Sequence, residues 1–297
     1  MKKLNYFIAL TLTGIALTSC GDKDAKTDDI DGGDSAKVET NINTPVSETF
    51  FQVPSPGEML TFIKMVGGKQ KNISFLNPPD NQKNYNDSKL KALNFGIYSC
   101  DLSYCSIFEI GSEALKYFKT VKTMGDQIGV STAINPEILK RLESNIGTPD
   151  SLAVITDDVY FSSFEALEDS KQGPTLACVV AGGWLESLFI ATQLAKFEAN
   201  SPVIERLADQ KYTLENLIEF LKKHESDPNV ASVKTDFEGL LAEYNKLTEK
   251  DATSGKNDKE SKATLIGGGR QLVMTEDVYK AIVAKVKSLR NSYTLIK

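Results

Sequence analysis

One histidine, one tryptophan and four cysteines in 297 residues remove much chemistry at the outset. No Ser-His-Asp arrangement exists unless His224 serves it, and His224 follows Lys222-Lys223 where a solvent-facing residue near a helix C-terminus is expected. No H-E-x-x-H, E-x-x-H or G-x-S-x-G motif occurs. Gly267-Gly268-Gly269-Arg270 lacks the Gly-Lys-Ser/Thr ending of a phosphate loop and reads as a hinge. Positive charge is outnumbered, with 34 Lys and Arg against 40 Asp and Glu. The net charge is −6, which argues against a nucleic-acid binder, whose surface would show a basic face. Asp157-Asp158 with Glu165, Glu168 and Asp169 could gather a calcium ion, but such runs are usually solvated faces. No metal, no cofactor and no catalytic residue is expected.

What is present begins with an address. Lys2 and Lys3 precede an apolar run from Tyr6 to Leu17, which is too short to span a bilayer. The run closes on Leu17-Thr18-Ser19-Cys20. This arrangement resembles a bacterial lipoprotein signal with its lipobox. The resemblance implies that residues 1–19 are removed and that Cys20 carries a diacylglycerol thioether and an acylated amine. Two or three chains hold a membrane firmly where one does so marginally. Gly21 after the cysteine, rather than Asp, favours the outer membrane over the inner one.

Residues 20–48 hold eight acids and three lysines with almost no apolar content. Such a segment cannot bury enough surface to offset its ordering entropy, so a disordered acidic tether is expected over residues 20–49. An acidic patch just after a lipidated cysteine also resembles the export signals of some surface lipoproteins of Gram-negative bacteria; the plainer reading is a solvated spacer. Residues 50–297 then form the folded body.

Helix-start signals organise that body. Ser55-Pro56, Asn135-Pro136, Thr148-Pro149, Ser201-Pro202 and Asp227-Pro228 each set a capping residue before a proline that loses no helical hydrogen bond. Ser55 with Glu58 forms a capping-box pattern, and Gly67-Gly68 ends that helix. Thr213 and Thr275 look like further caps. Between these signals apolar residues recur at helical spacing: Leu90, Leu93, Ile97, Cys100, Tyr104 and Ile107; Val180, Trp184, Leu188 and Ala191; Leu214, Leu217, Ile218 and Leu221; Val278, Ile282, Val286 and Leu289. No run alternates with period two. The fold class is therefore all-α, a single irregular bundle of about nine or ten helices. Flexible loops are expected over about 69–86, which contains Pro78-Pro79, and about 249–268. The body is similar in character to helical lipoproteins of Gram-negative bacteria, a likeness that transfers no activity and no functional residues.

Two segments, Gly96–Tyr104 and Ala181–Phe189, each combine glycine, aromatics and one acid in an apolar stretch. Glycine costs a helix about 1 kcal/mol relative to alanine, so Gly96, Gly182 and Gly183 point to close backbone approach at a helix crossing. The acids are Asp101 and Glu186. A buried carboxylate must be paired, hydrogen-bonded or protonated. They mark either a structural polar spot or an acid/base or ligand site, with Tyr98, Tyr104, Trp184 and Phe189 as the walls of a candidate pocket. With Cys20 committed to lipid, Cys100, Cys105 and Cys178 remain. Cys100 and Cys105 lie about 140° apart round one helix and cannot bridge each other. Either could reach Cys178 if the helices cross, and buried free thiols are the alternative.

Three functions fit this sequence. The first is a lipid-anchored, non-catalytic interaction or assembly module with an envelope protein as partner. The second is a small-ligand-binding lipoprotein with its pocket between the two central helices. The third is an enzyme using Asp101 or Glu186.

Overall fold

The computed structural model describes residues 55–67, 71–251 and 270–295; Cys20, the leader and the acidic tether lie outside them. Among the described residues the chain is all-α apart from one pair of short strands. In chain order the elements are α1 (Pro56–Met65), a 3-10 turn (Pro79–Asn84), α2 (Ser88–Ile107), α3 (Gly111–Ile128), α4 (Pro136–Ser144), α5 (Pro149–Asp169), α6 (Gly173–Leu194), α7 (Pro202–Lys222), α8 (Pro228–Tyr244), β1 (Thr248–Asp251), β2 (Arg270–Val273) and α9 (Glu276–Thr294).

Local chemistry sets most helix starts. Asn135, Ser201, Asp227 and Thr275 each accept a backbone N–H from the first turn that follows, at 2.8–3.4 Å. Asp87, an unanticipated cap, does the same for α2 through Leu90 N at 2.8 Å. Three expectations differ. Ser55 and Thr148 precede their helices without a side-chain cap bond, so the box with Glu58 is not made. Thr213 lies inside α7, because the apolar face of that helix continues through it.

The core is built on α2 and α6. Sixteen of the 20 residues of α2 and 17 of the 22 of α6 are buried, so neither helix has a polar face. α6 is long and apolar enough to cross a membrane, yet 94% of its apolar window is buried inside this fold. Leu93 meets Gly182, Gly96 meets Val179 and Gly183, and Asp101 meets Glu186. Ser88 and Ala92 lie with Pro174, Thr175 and Cys178, and Asp101, thirteen residues after Ser88, lies with Glu186, so α2 and α6 run parallel. α1, α3 and α5 pack around α2; α7, α8 and α9 pack around α6.

The stretch expected to be loose over 69–86 is, among its described residues, pinned to the core at three positions, while residues 71–74 stay exposed. Leu76, Asn77 and Tyr85 are at most 3% exposed. Prolines 78 and 79 do not open the chain here but turn it into the 3-10 helix, and the buried side chains of Asn77 and Tyr85 bond to each other. The second expected loop begins later than its first residues. Residues 249–251 belong to β1, which pairs antiparallel with β2 through Thr248↔Val273 and Asp251↔Arg270. Four-residue strands rich in charge carry no legible alternation, and the rest of that loop lies outside the described residues.

Candidate functional site

The two glycine-bearing helices touch through their backbones. A Cβ on Gly182 would strike the Leu93 carbonyl, and one on Gly96 would strike the carbonyl of Val179. Nothing but hydrogen fits at either position. The pocket expected between these helices is therefore filled, and its proposed walls are dispersed. Tyr98 donates to the Pro78 carbonyl at 2.9 Å, and Tyr104 to the Asn72 carbonyl at 3.0 Å. Trp184 faces away from them, donating Nε1–H to Gln210 Oε1 at 3.1 Å and packing its ring 5.8 Å from that of Phe237. All three rings are core.

The two acids, by contrast, are brought together. Above the glycine contact Asp101 and Glu186 are both 0% exposed and lie within hydrogen-bonding reach of each other. Arg290 of α9 enters between the helices. Its Nε and Nη2 donate to the two oxygens of Glu186, each at 2.9 Å, and Nη2 also reaches the Phe75 carbonyl at 3.3 Å. The guanidinium lies 4.6 Å from the ring centre of Phe189. A bidentate pair of this kind is the geometry in which a buried charge can be kept. Burial works against the charge on Arg290, but the Glu186 carboxylate outweighs it and holds the guanidinium charged.

Asp101 has no such partner. Its Oδ2 accepts the Asn77 N–H at 3.2 Å, while Oδ1 is buried with no donor. Burial, then the nearby Glu186 carboxylate, pushes its acid well above the usual carboxylate range, with Arg290 only partly opposing. Beside it Asn77 donates to Tyr85 Oη at 2.9 Å and to Asn94 Oδ1 at 3.2 Å. Tyr85 donates to the Thr294 carbonyl at 3.2 Å, and Asn94 to that of Tyr293 at 2.9 Å. The network thus ties the 71–86 segment and the end of α9 to α2 and α6.

Arg290, Asn77, Tyr85 and Asn94 carry much of this network and were not among the expected site residues. Arg290 had a signal: it stands four residues after Val286 and eight after Ile282, on the apolar stripe of α9. A cation on one buried stripe complements acids on two others.

The remaining candidates do not converge. Cys100, Cys105 and Cys178 are buried and free, so the bridge to Cys178 is not made. Cys178 lies near Ala92, eight residues from Cys100, or about 12 Å along the helix, whereas a disulfide needs Cα atoms within about 7 Å. Burial raises all three thiols. Asp158 pairs with Arg141 at 3.3 Å, while Asp157 lies against Gly57, so the acidic run of α5 is divided. Among the described residues no three metal-binding side chains gather. His224 is half-buried rather than solvent-facing. It covers Gly173 and meets the Phe220 ring edge to face at 5.4 Å, and burial lowers its pKa.

Surface hollows lie elsewhere. One of about 560 Å³ is lined by Lys91, Gln127 and Gln172, one of about 370 Å³ by Arg141 and Val154, and one of about 300 Å³ by Val66 and Leu194. None includes Asp101 or Glu186. No family model, no curated protein and no solved structure matches the chain, so its reading rests on its own residues.

Proposed function

We propose that this chain is a lipid-anchored envelope protein whose helical body is a non-catalytic interaction or assembly module. The anchor is Cys20, acylated after removal of residues 1–19, and the acidic segment that follows holds the body away from the bilayer, with the outer membrane favoured. One observation supports the non-catalytic part above others. The acids and aromatics with chemical potential, Asp101, Glu186, Tyr98, Tyr104 and Trp184, are at most 3% exposed and are engaged in holding helices together. A reaction centre needs a reacting atom to reach its acid, and here the space is occupied by Arg290 and Asn77. Single exposed apolar residues such as Met65, Val154 and Tyr212 offer anchor points for a partner protein.

The test uses the full-length protein in its native membrane. Mass spectrometry of the mature amino terminus should find Cys20 diacylated and N-acylated, and Cys20→Ala should release the body from the membrane fraction. Photo-crosslinkers placed in turn at Met65, Val154 and Tyr212 should give a defined protein adduct from one face and not from the others. An unmodified amino terminus overturns the address. The absence of any adduct from all three positions overturns the module.

A further inference from the structure

The joint between α2, α6 and α9 holds two carboxyl groups and one guanidinium, all buried. Were both acids ionised, the sealed core would carry an uncancelled negative charge, which a low-dielectric interior strongly disfavours. Glu186 is the ionised member, because both its oxygens already accept from Arg290. We propose that Asp101 keeps its proton and shares it with Glu186. This neutral acid is then the latch that fastens α9 and the 71–86 segment to the α2–α6 pair.

The geometry fits each part. Oδ2 of Asp101 takes one donor, Asn77 N–H, and Oδ1 has none. A proton turns that carboxyl into a donor toward Glu186, whose oxygens retain lone pairs beyond those given to Arg290. The groups that face Asp101 are Glu186 of α6, Arg290 of α9, Tyr117 of α3, Tyr85 of the 71–86 segment, and Tyr98, Cys100 and Cys105 of α2 itself; of these only Arg290 is cationic. Its charge is already met by Glu186. The same constellation staples two segments far apart in sequence, through Asn77 N–H on Asp101 and through Arg290 on the Phe75 carbonyl.

A group whose folded pKa lies above its unfolded one binds a proton in the fold that the unfolded chain gives up. The Asp101 contribution is therefore complete below the unfolded carboxylate pKa of about 4 and falls as pH rises from there toward the folded pKa. Asp101→Asn mimics the neutral acid: its amide donates toward Glu186 and its carbonyl oxygen accepts from Asn77.

Two measurements test this. Infrared spectra at pH 8, where Asp157 with its pKa of about 6 has ionised, should show the carbonyl stretch of a protonated carboxylic acid in the wild type that is missing in Asp101→Asn. Denaturant unfolding from pH 5 to 9 should show the ratio of wild-type to variant unfolding constants rising with pH, tenfold per pH unit while the folded protein keeps the proton, the slope of one proton. The variant should become the more stable form. Parallel pH profiles, or no protonated band at pH 8, overturn the proposal. If Asp101→Asn does not fold, the band in the wild type still decides it.

Discussion

Along one pair of parallel helices the molecule is held in two different ways. From Leu93 to Gly96 on α2, and from Val179 to Gly183 on α6, the contact is backbone against backbone with no side chain between. About one turn further on, Arg290 and two acids make the contact. The first half uses shape and the second uses charge. Shape admits no substitute, because the colliding atoms are carbonyls of the facing helix and cannot rotate away. Charge can be replaced as a set, because well-packed apolar groups of the same volume do the same job without the desolvation cost. The difference teaches where this fold tolerates change: at the joint that looks chemically richest, not at the plain one.

The largest expected effect comes from breaking the charged half singly. Arg290→Met strands the Glu186 carboxylate beneath Phe189 and removes the tie to the Phe75 carbonyl. Removing one partner of a buried pair costs about 3–5 kcal/mol. The double variant Arg290→Met, Glu186→Leu should recover most of that loss. Urea unfolding of the two variants measures both values. A double variant no better than the single one would show that the charge itself, not its volume, holds the joint.

The glycine half should respond next. Gly182→Ala places a methyl group on the Leu93 carbonyl, and Gly96→Ala does so on that of Val179. Overpacking typically costs about 1–3 kcal/mol, and the backbone identity of both obstacles puts these near the upper end, offset by about 1 kcal/mol of helix propensity. Each change should lower the thermal midpoint by several degrees. No second-site apolar substitution should rescue either, in contrast to the charged half. The two losses should be non-additive, since one displacement of the helices relieves both clashes.

This contrast also explains what could be seen before the fold was known. Gly96, Gly182 and Gly183 stand in apolar helices where glycine has no local advantage, so their close approach was legible. Asp101 and Glu186 were legible as interior acids for the same reason, a polar group on an apolar stripe. Their partner was harder. Arg290 lies 104 residues beyond Glu186, and no local signal joins them. Asn77 was concealed by Pro78-Pro79, which read as a break in the chain but turn it back into the core. The tyrosines were seen as possible pocket walls because periodicity shows which side chains point inward and not whether they meet across space. Tyr98 and Trp184 both point inward, toward different neighbours. The β1–β2 pair left no trace, because four residues with alternating charge resemble a loop.

The smallest expected effect sharpens the comparison by moving the same chemistry to wetter ground. Asp157 lies over the start of α1, with its carboxylate against Gly57. Burial, then Glu58 and Asp158, raises its pKa to about 6. Unlike Asp101 it is partly open, so its proton exchanges within an accessible pH range. Its folded pKa is above its unfolded one, so its contribution is complete below about pH 4 and is lost as pH rises through about 6. Asp157→Asn should therefore match the wild type at pH 4 and exceed it above pH 7. The shift of about two units sets an upper bound of about 3 kcal/mol; solvent screening and the positive end of α1 reduce the expected gain to about 1 kcal/mol. Thermal unfolding at pH 4, 6 and 8 measures this. A gain that builds between about pH 4 and 6 and then levels off places the effect at Asp157. A gain that keeps growing to pH 9 would mean that the folded protein holds the Asp157 proton more tightly than this burial accounts for.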